Sequence, residues 1–210
     1  MAIFSDRIEA GQLLADKLAQ IKSRLVDPIV LGIPRGGVPI GSCIAKAIGA
    51  PLDVIVLRKL PIPDNPEAGF GAVTIDKVTI FNESMAGYLG LNEKEINGIV
   101  ERVYKEVLRR EKVYRKNRPF PPLAGRSVIL TDDGLATGIT MLAAVKFAWA
   151  KMAKEIIIAV PVAHQEAFDL LKKEADRVIV LHVDNAPFFA VASFYREFTD
   201  MKDEEVISYL

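Results

Sequence analysis

The stretch Val128-Ile129-Leu130-Thr131-Asp132-Asp133-Gly134-Leu135-Ala136-Thr137-Gly138-Ile139-Thr140 decides how this chain folds. It begins as a short apolar run of the kind found in a strand buried on both faces. It ends in two adjacent carboxylates, a turn of small residues and two threonines, and a helical pattern begins at Met141. Oxyanions bind where backbone N–H groups converge at a helix N-terminus, and this turn offers such groups without bulky side chains. Two carboxylates would repel a bare phosphate, but they suit a sugar diol, whose hydroxyls are donors. A ribose carrying a 5′-phosphate meets both demands. No Gly-Lys-Ser/Thr follows the glycines, which excludes a Walker-type loop.

The rest of the chain alternates strands and helices. A helix is expected over about 6–25, capped by Ser5, because Leu13, Leu14, Leu18, Ile21 and Leu25 follow helical spacing. Pro28 to Ile33 reads as a strand, Val38 to Ile48 as a helix closed by Gly49, and Leu52 to Leu57 as a second buried strand. Residues 61–71, with three prolines and two glycines, read as a loop, and 72–81 as a small hairpin about Asp76-Lys77. Asn92-x-x-Glu95 opens a long helix to about Lys116, with Ile96, Ile99, Val100, Val103 and Val107 on one face. Strands at about 127–131, 155–160 and 177–183 are separated by helices over roughly 139–153 and 164–175. Such alternation predicts an α/β fold, a Rossmann-like and mostly parallel sheet flanked by helices. One domain is expected over 1–210, with its core at about 28–81 and 119–183. A helical insertion would occupy about 83–118, and a variable C-terminal segment about 184–210.

Composition narrows the function. The 27 basic residues balance the 27 acidic ones and half the chain is hydrophobic, which disfavours a dedicated nucleic-acid binder. The one cysteine, Cys43, permits no internal disulfide and fits a reducing compartment. Its apolar neighbours suggest a core position. The first residues lack the apolar segment of a signal peptide, and no run of about 18 apolar residues could span a membrane. A cytoplasmic location is therefore expected.

The run from Val128 to Thr140 also resembles the signature of the type I phosphoribosyltransferases, which use 5-phosphoribosyl-1-pyrophosphate (PRPP). Their pattern is a few apolar residues, two acids, three variable residues, then Thr-Gly-x-Thr or Thr-Gly-x-Ser. The resemblance implies that fold, with the C-terminal segment as a hood, and a Mg²⁺-dependent transfer of phosphoribosyl to a nitrogenous base with release of pyrophosphate. It implies that Asp132 and Asp133 hold the ribose hydroxyls and bind metal through water. It likewise implies that Ala136, Thr137, Gly138, Ile139 and Thr140 wrap the 5′-phosphate.

Ligands of such sheets sit at the carboxyl ends of the strands. There, Gly32-Ile33-Pro34-Arg35-Gly36-Gly37 follows the first strand and resembles the family's pyrophosphate loop, with Pro34, Arg35, Gly36 and Gly37 as its contacts. The resemblance implies a cis Pro34–Arg35 bond. Arg58 and Lys59 follow the second strand, where the family places a basic residue before a mobile lid. Arg35 and Lys59, with the two aspartates, are thus the candidate catalytic residues. For the acceptor, Ala136 resembles adenine and uracil enzymes, whereas Arg-Gly-Gly resembles xanthine-guanine ones. Base recognition would fall to the hood, where Asp184 or Asn185 could hydrogen-bond, and Phe188 and Phe189 could stack. Phe194 and Tyr195 could stack on the base as well. His164 and His182 read as structural. The apolar face of the long helix could make a homodimer. Arg109, Arg110, Lys112, Arg115, Lys116 and Arg118 suggest either a solvated helix end or a PRPP-sensing RNA-binding regulator on the same fold.

Overall fold

The computed structural model describes residues 2–63, 65–82, 87–116 and 118–210, with no side-chain account of 65–68. Residues 83–86 and 117 of the expected insertion, and residue 64 of the expected loop, lie outside that description. Five parallel strands form the central sheet: β1 (Ile29–Gly32), β2 (Leu52–Val54), β6 (Ser127–Thr131), β7 (Glu155–His164) and β8 (Arg177–Asp184), in the order β2-β1-β6-β7-β8. An antiparallel ribbon of β3 (Leu57–Ile62), β4 (Asn65–Thr74) and β5 (Thr79–Phe81) stands beside it.

Helices α1 (Arg7–Ala19) and α2 (Gly37–Ile48) cover one face of the sheet, with Leu14, Leu18, Ile40 and Ile44 packed on Val30, Ile129 and Ile157. Each such aliphatic side chain, fully buried, contributes roughly 1.5–3 kcal/mol. Helix α3 (Glu93–Arg115) lies on the ribbon, and α4 (Ile139–Ala150) and α5 (Gln165–Leu171) cover the other face of the sheet. A short α6 (Asp203–Ser208) packs against α3. Helix α4 is apolar almost all round because it is sandwiched, with the sheet on one side and the ribbon on the other.

Several expectations shift. The first helix is capped by Asp6, whose carboxylate accepts from the N–H groups of Ile8 and Glu9, and it ends at Ala19. The run 52–57 breaks into β2 and β3, because Leu52–Val54 pair with β1 while the chain leaves the sheet after Ile55. Val54, Ile55, Val56 and Leu57 are all buried, so the residues at the break look no different from those beside it. The expected loop at 61–71 is mostly strand. Pro61 sits where the β3–β4 register shifts, between Leu60 and Ile62, and proline is tolerated at such irregularities. The hairpin to β5 and the capping box of Asn92 and Glu95 match the sequence reading. The face of α3 that could have dimerised is spent internally, with Ile99, Val100, Val103 and Val107 buried against Leu60, Phe70 and Val73. Among the described residues, no helix is long and apolar enough to cross a membrane.

Candidate functional site

In the strand order β2-β1-β6-β7-β8, the connections after β1 and β6 leave in opposite directions and open a crevice at their carboxyl ends. The Pro34–Gly37 turn and the Asp132–Thr140 turn both fall there. They are stitched together: the Ile33 N–H donates to the Thr131 carbonyl at 2.9 Å, and the Thr131 hydroxyl donates to the Gly37 carbonyl at 2.8 Å. The Pro34–Arg35 peptide is cis.

Two glycines make this approach possible. A Cβ on Gly36 would stand 1.9 Å from Asp133 Oδ2, and one on Gly37 would stand 2.2 Å from the Thr131 carbonyl oxygen. The first clash meets a side-chain tip, the second a backbone that cannot yield. Gly37→Ala should therefore part the two turns and cost about 2–3 kcal/mol of stability. Urea denaturation that finds the variant as stable as the parent would show the turns are not held together as described.

A cavity of about 190 Å³ opens at the crevice. Asp132, the turn from Gly134 to Met141, Lys59, Gly69, Gly71 and Val191 line it. Gly138 takes the left-handed conformation at the start of α4 and offers no side-chain cap, and the Ile139 N–H makes only a long 3.5 Å bond to the Thr137 hydroxyl. The first N–H groups of a helix have no intrahelical acceptor, so this end of the cavity suits an oxyanion. Leu135 is pinned to β7, its N–H donating to Val162 and its carbonyl accepting from His164.

The two carboxylates differ. Burial, then the neighbouring Asp133 charge, pushes the Asp132 carboxyl well above the usual carboxylate range. Burial also raises Asp133, against the pull of Arg7, whose Nε donates to Asp133 Oδ2 at 2.9 Å. Arg7 is held in turn by the Thr199 carbonyl and lies 3.9 Å over the Phe198 ring. The Tyr195 hydroxyl donates to the Asp133 carbonyl at 2.6 Å. Sequence reading missed Arg7, because nothing local links it to an acid 126 positions away. It also gave Tyr195 to stacking on a base, whereas the ring packs with Phe4 and Phe198.

The crevice gathers some of the other expected residues and not the rest. Lys59 reaches the cavity, but Arg58 does not. Successive strand side chains point to opposite faces, and Arg58 meets Glu106 of α3 at 3.4 Å. The Arg35 backbone is in the crevice, while its guanidinium leans out to within 3.8 Å of Asp203 at the start of α6. In the hood, Asp184 turns its carboxylate onto the Ala186 N–H and Phe188 is 96% exposed, so neither faces the crevice. Phe189 is placed better. It contacts His164 and Phe194 and, with Ala136, Thr137, Ile139 and Pro187, lines an adjoining cavity of about 430 Å³. Cys43 is half-buried between α1 and α2, outside the crevice.

The basic segment at the end of α3 is not a free patch. Arg109 and Arg110 bond Glu106, Arg109 also reaches Asp203, and Arg115 is buried against Asp53 and Glu111. Three of the six cations are thus ion-paired within the chain, and of these only Arg115 is buried.

A family model described as the phosphoribosyl transferase domain matches residues 5–194. Two Mycobacterium tuberculosis proteins (strains CDC 1551 / Oshkosh and H37Rv), each named "Putative phosphoribosyl transferase", are 40% identical over 210 residues. The match covers 100% of this chain but 47% of each, so the chain spans about half the length of these curated relatives. The crystal structure of TT1426 from Thermus thermophilus superposes with a TM-score of 0.80 at 36% identity, covering 100% of this chain and 97% of that one. A purine phosphoribosyltransferase from Pyrococcus horikoshii Ot3 matches with a TM-score of 0.51 at 16% identity, over 96% and 98% of the two chains. At that identity the likeness is one of fold.

Proposed function

Because the chain belongs to the phosphoribosyl transferase domain family, we propose that it transfers the 5-phosphoribosyl group of PRPP to a nitrogenous base and releases pyrophosphate. The observation that carries this reading is the meeting of two turns at one crevice. A pair of half-buried carboxylates stands between a glycine turn after β1 and the start of α4.

The chain's own groups divide the work. The N–H groups of Ala136 to Thr140, with the hydroxyls of Thr137 and Thr140, hold the 5′-phosphate. Asp132 and Asp133 accept hydrogen bonds from the ribose hydroxyls, and Arg7 favours the ionised form of Asp133 that this needs. The turn of Pro34 to Gly37 offers backbone to the pyrophosphate, and Lys59 adds a charge on the cavity side of the ribbon. Arg35 must swing from Asp203 to join them. Phe189 and His164 form an apolar wall beside Ala136 where a flat acceptor fits.

Two adjacent carboxylates are hard oxygen donors, and among the described residues no cluster of three or more His, Cys, Asp or Glu could hold a metal ion by itself. That donor set fits Mg²⁺, which binds through one or two carboxylates plus substrate phosphates. Bound there with the substrate, it would neutralise charge developing on the departing pyrophosphate.

The test is pyrophosphate release from PRPP with and without Mg²⁺, across a panel of nucleobases and a no-base control. Release that needs both Mg²⁺ and one base establishes the activity and its acceptor. Silence across the panel, with no PRPP binding, removes the reading.

A further inference from the structure

Between β3 and α3, on the side of the ribbon away from the carboxylate pair, lies a cavity of about 210 Å³. Arg58, Lys59, Pro61, Arg102, Val103 and Glu106 line it. Among the described residues, the guanidinium groups of Arg58 and Arg102 thus share one lining carboxylate. That carboxylate is already shared, because Glu106 also accepts from Arg109 Nε at 2.8 Å and from Arg110 Nε at 2.9 Å. Its hydrogen bonds with Arg109, and then Arg110, hold it down at about 2, so it stays charged in any ordinary buffer. One carboxylate cannot serve Arg58, Arg102, Arg109 and Arg110 together. Arg102 has no ion-pair partner among the described residues. Asp203, which also pairs with Arg109, is itself engaged with Tyr114 at 2.6 Å, Arg109 at 3.2 Å and Arg35 at 3.8 Å.

A concave site lined by excess guanidinium groups concentrates the field on an entering anion, and the planar forks of arginine match phosphate oxygens two at a time. The cavity is smaller than the usual size of a pocket for a drug-sized molecule, roughly 300–1,000 Å³, and suits a phosphate-bearing group alone. We propose that the Arg58–Arg102 cavity is a second oxyanion site, for the di- or triphosphate of a small phosphorylated ligand, distinct from the crevice at β1 and β6. Glu106 holds the site's arginines in place until such a ligand arrives. Lys59 borders both cavities, but strand alternation turns its side chain to the crevice face, so the second site rests on Arg58 and Arg102.

The inference does not depend on the transfer reaction, and one experiment separates the two. Inorganic triphosphate, without Mg²⁺, is titrated calorimetrically into the full chain, into the double variant Arg58→Gln/Arg102→Gln, and into Thr137→Ala/Thr140→Ala. Both replaced arginines are at least partly exposed, and circular dichroism verifies the fold. The parent should bind two equivalents. The arginine variant should lose one of them, or bind it about tenfold more weakly, and the threonine variant should weaken only the other. A single equivalent that the arginine variant binds unchanged overturns the second site and leaves the crevice standing. A single equivalent lost in the arginine variant and untouched in the threonine variant upholds the second site and counts against the crevice. No binding to the parent overturns both.

Discussion

Asp132→Asn is expected to reduce PRPP use by more than about a hundredfold while raising the melting temperature of the ligand-free protein. The two effects share one cause. Asp132 is a half-buried carboxylate beside a second carboxylate, and desolvation followed by that charge pushes its carboxyl well up. A neutral amide removes both penalties and keeps the oxygen that accepts the Asp133 N–H at 2.9 Å. The same amide loses the charge that strengthens hydrogen bonds from ribose hydroxyls, each worth about 1.5–3 kcal/mol when charge-assisted. The pH dependence has a definite sign. Below the ordinary value of 3.8 the carboxyl is protonated folded and unfolded, so the parent carries no penalty. As pH rises past that value the unfolded chain ionises first and the parent loses stability relative to the variant. The gap in melting temperature should open above about pH 3.8 and stop widening once the folded carboxyl ionises. A variant that melts lower than the parent at pH 7 would refute the burial cost. PRPP use within tenfold of the parent would remove Asp132 from the site.

Arg115→Met should cost about 3–5 kcal/mol of stability, the largest effect expected outside the crevice. Arg115 is 3% exposed at the end of α3. It donates to Asp53 at 2.7 Å, to Glu111 and to the Val54 carbonyl, and its guanidinium stands 4.6 Å over Phe120. Its loss strands the carboxylates of Asp53 and Glu111. Burial already raises the Glu111 carboxyl, and its Oε2 has no hydrogen-bond partner among the described residues. Six residues earlier, Arg109 is half-exposed, and Arg109→Gln should cost under about 1 kcal/mol. Urea unfolding of both variants tests the contrast. Equal losses would show that water reaches the Arg115 pair and that burial does not set its strength.

That contrast marks the limit of reading the α3 cations from sequence. Arg109, Arg110 and Arg115 look alike in a row, yet two share Glu106 and the third fills an interior site under Phe120. The proline- and glycine-rich stretch from 61 to 71 misled for a different reason. Its residues favour turns in isolation, but the pairing of Leu60, Pro61 and Ile62 with Gly71, Gly69 and Asn65 draws most of it into strands. The hood was half legible. Phe189 and Phe188 are neighbours of the same type, and only packing against His164 and Phe194 selects the first.

The central sheet, the two turns at its crevice and the chemistry they offer were all legible in the chain before any packing was known. Those signals are short-ranged: an apolar run, two acids, a small-residue turn and a helix start all fall within thirteen residues, and the Arg35-Gly36-Gly37 turn is equally local. What stands against those turns came from long-range packing. Arg7 reaches Asp133 because α1 crosses β7 and β8, and Gly36 touches the same carboxylate because β1 pairs with β6. Arg58 and Lys59 part company because a strand turns alternate side chains to opposite faces, and α3 happens to cover one of them. Contacts between elements a hundred residues apart depend on how whole faces pack, and no spacing within one element encodes them.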